Sequence, residues 1–319
     1  MAAWVVYVTG VGAVVAVAAL LLERGLRRLG RPVRWVWIAA LTGTVSIPAA
    51  ALFFGTGEVG WSVPAVEVST VSETVFAAGW MAATLMLLAN FRLSAWTLRR
   101  NRRSWRDVRV GGHRAMVSAG FGPGVIGVVR PRIVLPEWIL DADPAVHRLV
   151  VAHEVEHVRA RDTRLLLAGL LLASLVPWCL PAWWQLHRLR AAMETDCDAR
   201  VLRGPAGRRE YANALVAVAG RRSRTGVPVP ALGPRPAELE RRIRIITSAR
   251  PSSRRAALGL VAVAAALVLG LARVPTPARP SVPALPAFRL ANPLLSSDAP
   301  RRATVILSVQ PEAVPASPD

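Results

Sequence analysis

Four segments of the chain are almost free of charged residues, and polar or arginine-rich segments separate them. The apolar segments lie at about residues 2–22, 35–54, 75–96 and 256–272. A helix needs roughly 20 apolar residues to cross the hydrocarbon core of a bilayer. The first two segments suit this length, whereas the apolar cores of the other two are shorter and need flanking residues or a thinner local bilayer. We therefore predict four transmembrane helices in a mainly α-helical, multi-pass membrane protein.

The composition supports a membrane protein rather than a soluble domain. Of the 319 residues, 53% are hydrophobic, and the formal net charge is +20. Histidine aside, every basic residue is an arginine. A basic surface can bind nucleic acid, but these arginines crowd between the apolar segments and form no helix-turn-helix or zinc-finger pattern. We predict contact with the lipid bilayer and no direct binding of nucleic acid.

The arginines also predict which side of the membrane each segment faces. Residues 23–34 carry five arginines, whereas residues 55–73 carry none and hold three glutamates. Because cytoplasmic loops of membrane proteins are enriched in basic residues, residues 1–98 are expected to cross the inner membrane three times from an outer amino terminus. Residues 99–255 then form a cytoplasmic domain, and the last helix leads outward to a proline-rich tail, 273–319.

The run His-Glu-Val-Glu-His carries the strongest chemical signal. Residues four apart share one face of a helix, so His153 and His157 can present two imidazoles to one zinc ion (Zn²⁺). Between them, Glu154 is placed to accept a proton from bound water and pass it to the leaving amine. Asp143 and Pro144 predict the start of this helix, as N-cap and first helical residue. The pattern is typical of a zinc-dependent peptidase.

A second acidic cluster follows in the run Met-Glu-Thr-Asp-Cys-Asp, residues 193–198. A catalytic zinc site has three protein ligands and one open position, and Glu194 is the natural third ligand. Asp198, one helical turn later, is predicted to orient a ligand histidine through its free ring nitrogen, and Asp162 is a second candidate for that role. We interpret Cys197 as a packed side chain. Three further histidines are candidates for stabilising an oxyanion: His113, His147 and His187.

The ligand set constrains a fifth apolar segment, residues 165–184. If this segment crossed the membrane once, Glu194 would emerge on the opposite side from the two histidines and could not share their ion. The segment is therefore predicted to return to its own side as a membrane-associated helical hairpin. Pro177 and Pro181 supply the break, and the hairpin is either re-entrant or interfacial.

Residues 122–136 predict two short strands around Arg130-Pro131, because β-branched residues flank this pair. One interpretation is a small structural hairpin. The other, compatible with the first, is an edge strand on which an extended peptide substrate adds, with Ile133, Val134 and Leu135 as the candidate residues.

Together these motifs resemble the membrane-embedded zinc metallopeptidases of the BlaR/MecR antirepressor type. The resemblance covers roughly residues 75–250 and rests on three ordered stretches: Val-Ile-Gly-Val-Val-Arg-Pro-Arg-Ile-Val-Leu-Pro, Val-Val-Ala-His-Glu-Val-Glu-His-Val-Arg-Ala-Arg-Asp and Glu-Thr-Asp-Cys-Asp-Ala-Arg-Val-Leu. It implies a gluzincin-like zinc peptidase domain that contains the small β-hairpin. Penicillin-sensing members continue into a large sensor domain acylated at Ser-x-x-Lys, whereas this chain has no lysine. We expect no β-lactam sensor of that kind.

The resemblance also implies regulated proteolysis. The expected function is hydrolysis of peptide bonds in a cytoplasmic or juxtamembrane protein during signal transduction, the substrate being a transcriptional repressor or the protease itself. Residues 241–255, which include Pro251, are the candidate site of self-cleavage. The alternative function is a membrane sensor or scaffold with a structural metal site. Glu154 favours the enzyme, since a structural site needs ligands but no general base.

Overall fold

The computed structural model describes residues 2–54, 70–110, 112–205, 207–224, 236–248 and 253–277. Three predictions fall partly on segments outside these residues: the acidic loop before residue 70, residues 249–252 of the candidate self-cleavage segment 241–255, and the tail after residue 277. The described part is mainly helical and contains one small mixed sheet.

The elements are numbered in chain order. The helices are α1 (Ala2–Arg28), α2 (Arg34–Phe54), α3 (Thr70–Asn101), α4 (Pro144–Ala160), α5 (Asp162–Leu175), α6 (Leu180–Val201), α7 (Arg208–Arg224), α8 (Pro236–Thr247) and α9 (Arg254–Leu271). The strands are β1 (Arg106–Val110), β2 (His113–Ser118), β3 (Gly124–Ile126) and β4 (Arg132–Pro136).

Four of the described helices, α1, α2, α3 and α9, are long and apolar enough to cross a membrane. They coincide with the four predicted apolar segments, while their sidedness stays a prediction. Helix α1 continues beyond residue 22 to Arg28 because its end is set by a left-handed glycine, not by the last apolar residue. Gly30 has a φ of 66°, and the Arg31 amide donates to the Leu26 carbonyl oxygen at 2.9 Å, as in a Schellman cap.

Helices α1 and α9 approach each other closely at Gly25. A Cβ atom at this position would lie 2.9 Å from the Ala257 carbonyl oxygen and 3.2 Å from Val261 Cγ2. Small residues at helix crossings allow this approach in membranes, where packing drives association. Gly25 therefore determines how tightly α9 lies against α1.

We expect Gly25→Leu to destabilise the protein, because the added side chain must push α9 away from α1. Overpacking of this kind typically costs about 1–3 kcal/mol. Gly10→Leu is the matched control on the same helix, since a Cβ atom there would meet nothing within 4 Å. Thermal unfolding of the two variants in detergent measures the difference, and equal unfolding midpoints would contradict the α1–α9 contact.

Helices α5 and α6 form a helical hairpin whose break contains Pro177. The hairpin packs against the apolar helices α1 and α2. The buried Gln185 amide nitrogen donates to the Gly12 carbonyl oxygen at 2.9 Å and to Thr44 Oγ1 at 3.0 Å. Of the two prolines predicted to supply the break, Pro177 lies between the helices, whereas Pro181 lies in the first turn of α6. The association of the hairpin with the bilayer stays a prediction.

The sheet has the strand order β1-β2-β4-β3. Strands β3 and β4 form an antiparallel pair, as predicted for residues 122–136, while β4 runs parallel to β2 on its other side. The prediction that Ile133, Val134 and Leu135 form an edge strand is therefore wrong. The backbone of β4 pairs on both sides, and these three side chains are buried. Within the described sheet, the free edges are β1 and β3.

Part of the candidate self-cleavage segment, residues 241–255, is helical, and self-cleavage stays a prediction. Residues 241–247 belong to α8, and α9 begins at Arg254. Helical backbone is a poor protease substrate because cleavage needs an extended chain. The connection between the two helices is confined to residues 248–253.

Candidate metal centre

Helix α4 places the two histidines of the motif. Asp143 accepts hydrogen bonds from the Ala145 and Val146 amides at 2.7 and 3.4 Å, which confirms the predicted N-cap. One face of α4 packs its valines, Val150, Val151 and Val155, against the sheet. The histidines are therefore held on a rigid helix, and their rings meet α6.

The α5–α6 hairpin returns Glu194 to these histidines. The Nε2 atoms of His153 and His157 lie 3.2 Å apart. Glu194 Oε2 lies 3.4 Å from His153 Nε2, and Glu194 Oε1 lies 3.6 Å from His157 Nε2. The structure thus brings the three predicted ligands together around one point.

The spacing of these atoms fits zinc. A tetrahedral zinc ion with bonds of about 2.0–2.1 Å places its ligand atoms roughly 3.3 Å apart. The three observed separations, from 3.2 to 3.6 Å, lie close to this value. Two imidazoles and a carboxylate also leave one tetrahedral position for water or substrate.

A second set of ligand atoms uses Cys197 in place of Glu194. His153, His157 and Cys197 offer ligand atoms within 4.8 Å of one another. Cys197 Sγ, however, lies 3.3 Å from His153 Nδ1, whereas Glu194 lies next to Nε2. Because the two ring nitrogens point to different sides of an imidazole, Glu194 suits an ion held by both Nε2 atoms better.

The remaining ring nitrogens have partners that orient the histidines. His157 Nδ1 lies 2.7 Å from Asp162 Oδ2. His153 Nδ1 lies 2.9 Å from the Tyr211 hydroxyl, which donates to Asp198 Oδ1 at 2.7 Å. Asp162 therefore contacts its histidine directly, and Asp198 acts through Tyr211. Such outer contacts fix the ring orientation and the tautomer.

Arg242 of α8 holds both acidic residues of α6. Its Nη1 donates to Glu194 Oε2 at 2.9 Å. Its Nε and Nη2 donate to the two oxygens of Asp198 at 2.9 and 2.6 Å. The guanidinium is buried, and it leaves Glu194 Oε1 facing His157. Neither Arg242 nor Tyr211 belongs to a motif that could be recognised in the sequence.

Charge in the centre shifts the ionisation of its members. Burial alone would lower the pKa of His153, but Cys197 and Glu194 raise it to about 10. Burial alone would raise the pKa of Glu194, but Arg242 and the two histidines hold it well below its usual range. The carboxylate is therefore charged, and the negative surroundings of the histidines favour a cation there.

Glu154 and the three candidate ligands line a cavity of about 320 Å³. Its carboxyl is buried, whereas Glu156 of the same motif pairs with Arg159 and Arg200 instead. Strand β3 lines the cavity through Gly124 and Val125. Of the three oxyanion candidates, His187 is among the described lining residues, and His113 and His147 are not.

Comparison with known proteins identifies a family. A family model described as BlaR1 peptidase M56 matches residues 58–246, which contain both strands of the predicted hairpin and every residue of the metal centre described above. No curated protein matches the chain.

Proposed function

The chain belongs to the BlaR1 peptidase M56 family and is a membrane-associated peptidase, and we propose that it is a zinc-dependent endopeptidase. The observation that carries the proposal is the triangle of His153, His157 and Glu194, with Glu154 in the same cavity. A structural zinc site is closed by four protein ligands, whereas a catalytic site keeps one position open. Because the three side chains line the cavity, water or substrate could reach an ion held by them.

The proposed ligands bind the metal, and Glu154 transfers the proton. His153, His157 and Glu194 would hold the zinc ion, with their orientation set by Tyr211, Asp162 and Arg242. Bound there, zinc would lower the pKa of a water molecule to about 7 and polarise the scissile carbonyl. Glu154 accepts the proton released by the attacking water and transfers it to the leaving amine.

The substrate would bind as an extended peptide along β3. This strand pairs only with β4 among the described strands, and it lines the cavity that holds Glu154. Main-chain hydrogen bonds to a free strand edge hold a peptide extended without demanding a particular sequence. Strand β3 thus takes the role that sequence analysis assigned to β4.

We further propose that the α5–α6 hairpin is re-entrant rather than interfacial. Its contacts through Gln185 with Gly12 and Thr44 reach the middle of two apolar helices, α1 and α2. The metal centre then opens to the side that carries the arginine-rich segments, which basic loops mark as cytoplasmic. The proposed substrate is a cytoplasmic or juxtamembrane protein, either a transcriptional repressor or this chain itself, cleaved during signal transduction.

Proteolysis by the purified full chain tests the function. Fluorescein-labelled casein serves as a general protein substrate, and the intact mass of the chain reports self-cleavage. The proposed endopeptidase activity is supported if the wild type releases labelled peptides or shortens its own chain only with zinc, and if Glu154→Gln does neither. Zinc binding with neither product in any preparation would favour the sensor or scaffold.

Tyr211→Phe tests the contacts outside the ligand set. We expect zinc binding about tenfold weaker, because outer partners of metal ligands are typically worth roughly 10–100-fold in affinity. The lost hydroxyl joins His153 to Asp198. The chain has two tyrosines, and Tyr7→Phe on α1 is the matched control. Competition with a fluorescent zinc chelator measures both affinities, and equal values would contradict the role of Tyr211.

A further inference from the structure

Glu23 is a buried carboxylate near the end of an apolar helix. It is the single acidic residue of α1, and only 2% of its surface is exposed. Burying a charge is costly unless ion pairs and hydrogen bonds compensate for the lost water. The partners of Glu23 therefore indicate what the residue holds together.

Four groups from four helices meet at this carboxylate. Trp37 Nε1 of α2 donates to Oε2 at 2.8 Å, and Arg27 Nη2 of α1 lies 2.6 Å from Oε1. Arg188 Nη2 of α6 donates to Oε2 at 2.6 Å, and Arg241 Nη2 of α8 donates to Oε1 at 3.2 Å. One carboxylate thus compensates three arginines, so its loss would leave like charges facing each other.

Two of these partners lie on the helices that form the metal centre. Helix α6 carries both Arg188 and the ligand Glu194. On α8, Arg241 is followed directly by Arg242, which donates to Glu194 and Asp198. Successive residues of a helix point about 100° apart, so α8 can contact α1 with one arginine and the metal centre with the next.

We propose that Glu23 is a positioning residue for the metal centre. By pairing with Arg241 and Arg188, Glu23 positions α8 and α6 against α1. The position of α8 in turn keeps Arg242 on Glu194 Oε2, while Glu194 Oε1 faces His157. The apolar helix α1 is in this way coupled to the geometry of the zinc ligands. The inference rests on the proposed function only in requiring a metal at this centre.

Two substitutions test the coupling in the purified full chain. Glu23→Gln removes the charge and keeps the shape, while Arg241→Gln breaks only the contact with α8 and leaves Glu23 paired with Arg27 and Arg188. We expect both variants to bind zinc about tenfold more weakly, in the range of substitutions outside the ligand shell. Glu240→Gln is the control, since its ion pair with Arg244 on α8 is exposed.

Hydrogen exchange of the α8 backbone amides provides a readout without metal. Faster exchange in α8 together with weaker zinc binding, in the folded variants but not in Glu240→Gln, supports the proposal. The proposal would be overturned if folded Arg241→Gln bound zinc as tightly as the wild type and its α8 amides exchanged at the wild-type rate. A lower unfolding temperature with unchanged zinc affinity and unchanged exchange would overturn it as well. A wild type that binds zinc but cleaves nothing would refute the proposed function alone, since neither readout depends on cleavage.

Discussion

Glu154→Gln is expected to reduce peptide hydrolysis by roughly 10²–10⁴-fold, the range that a positioned general acid–base group contributes. The substitution keeps the size of the side chain but removes its capacity to take a proton. Zinc should remain bound, because the three proposed ligands His153, His157 and Glu194 are unchanged. The measurement is the rate of labelled peptide release at saturating zinc, with bound zinc per chain determined on the same samples.

Glu156→Gln is the matched control from the same motif. Glu156 lies two residues along α4, and its carboxylate pairs with Arg159 and Arg200 instead of lining the cavity. This variant should keep most of its activity. If both variants lost activity equally, the effect would come from α4 as a whole. If Glu154→Gln remained fully active with zinc bound, Glu154 could not be the general base.

The three proposed metal ligands could be identified from the sequence because their signals are local. A helix places residues four apart on one face, so the spacing of His153 and His157 already implies a shared ion. The third ligand required one further step, since Glu194 can join them only if residues 165–184 turn back. The structure has that turn at Pro177. Helix periodicity and the helix-breaking effect of proline thus indicated that three candidate ligands on two distant segments lie close together.

The supporting residues could not be predicted, because their roles depend on tertiary contacts. Tyr211 meets His153 from α7, and Arg242 meets Glu194 from α8. Nothing in the local pattern marks Arg242 among the 40 basic residues of the chain. The same holds for Glu23, whose partners lie on four different helices.

The sheet shows a different limit of sequence analysis. Strands β1 and β2 were not predicted, although the Gly111-Gly112 pair after the alternating Val108 and Val110 is a hairpin signal. Sequence patterns indicated an edge strand at Ile133, Val134 and Leu135, which belong to β4. Sequence order does not reveal that β2 pairs in parallel with β4, and this pairing moves the free edge to β3.

Glu194→Ala is expected to weaken zinc binding by more than about 100-fold. Substitution of a residue that only hydrogen-bonds a metal ligand typically costs roughly 10–100-fold, and Glu194 is itself a proposed ligand. Removing the carboxylate takes away one of three ligand groups and the negative charge that compensates the bound cation. Arg242 would keep its two hydrogen bonds to Asp198, so the fold around the centre should persist. The measurement is the zinc content of the detergent-purified chain after dialysis against a buffer of fixed free zinc.

Cys197→Ala decides between the two possible ligand sets. Cys197 lies on the same helix as Glu194 and is completely buried, and its sulfur is next to His153 Nδ1. If zinc is held by both Nε2 atoms and Glu194, Cys197→Ala should retain one zinc per chain while Glu194→Ala loses it. The opposite result would make the cysteine the third ligand. The hairpin of α5 and α6 would be required in either case, because Cys197 and Glu194 both lie on α6.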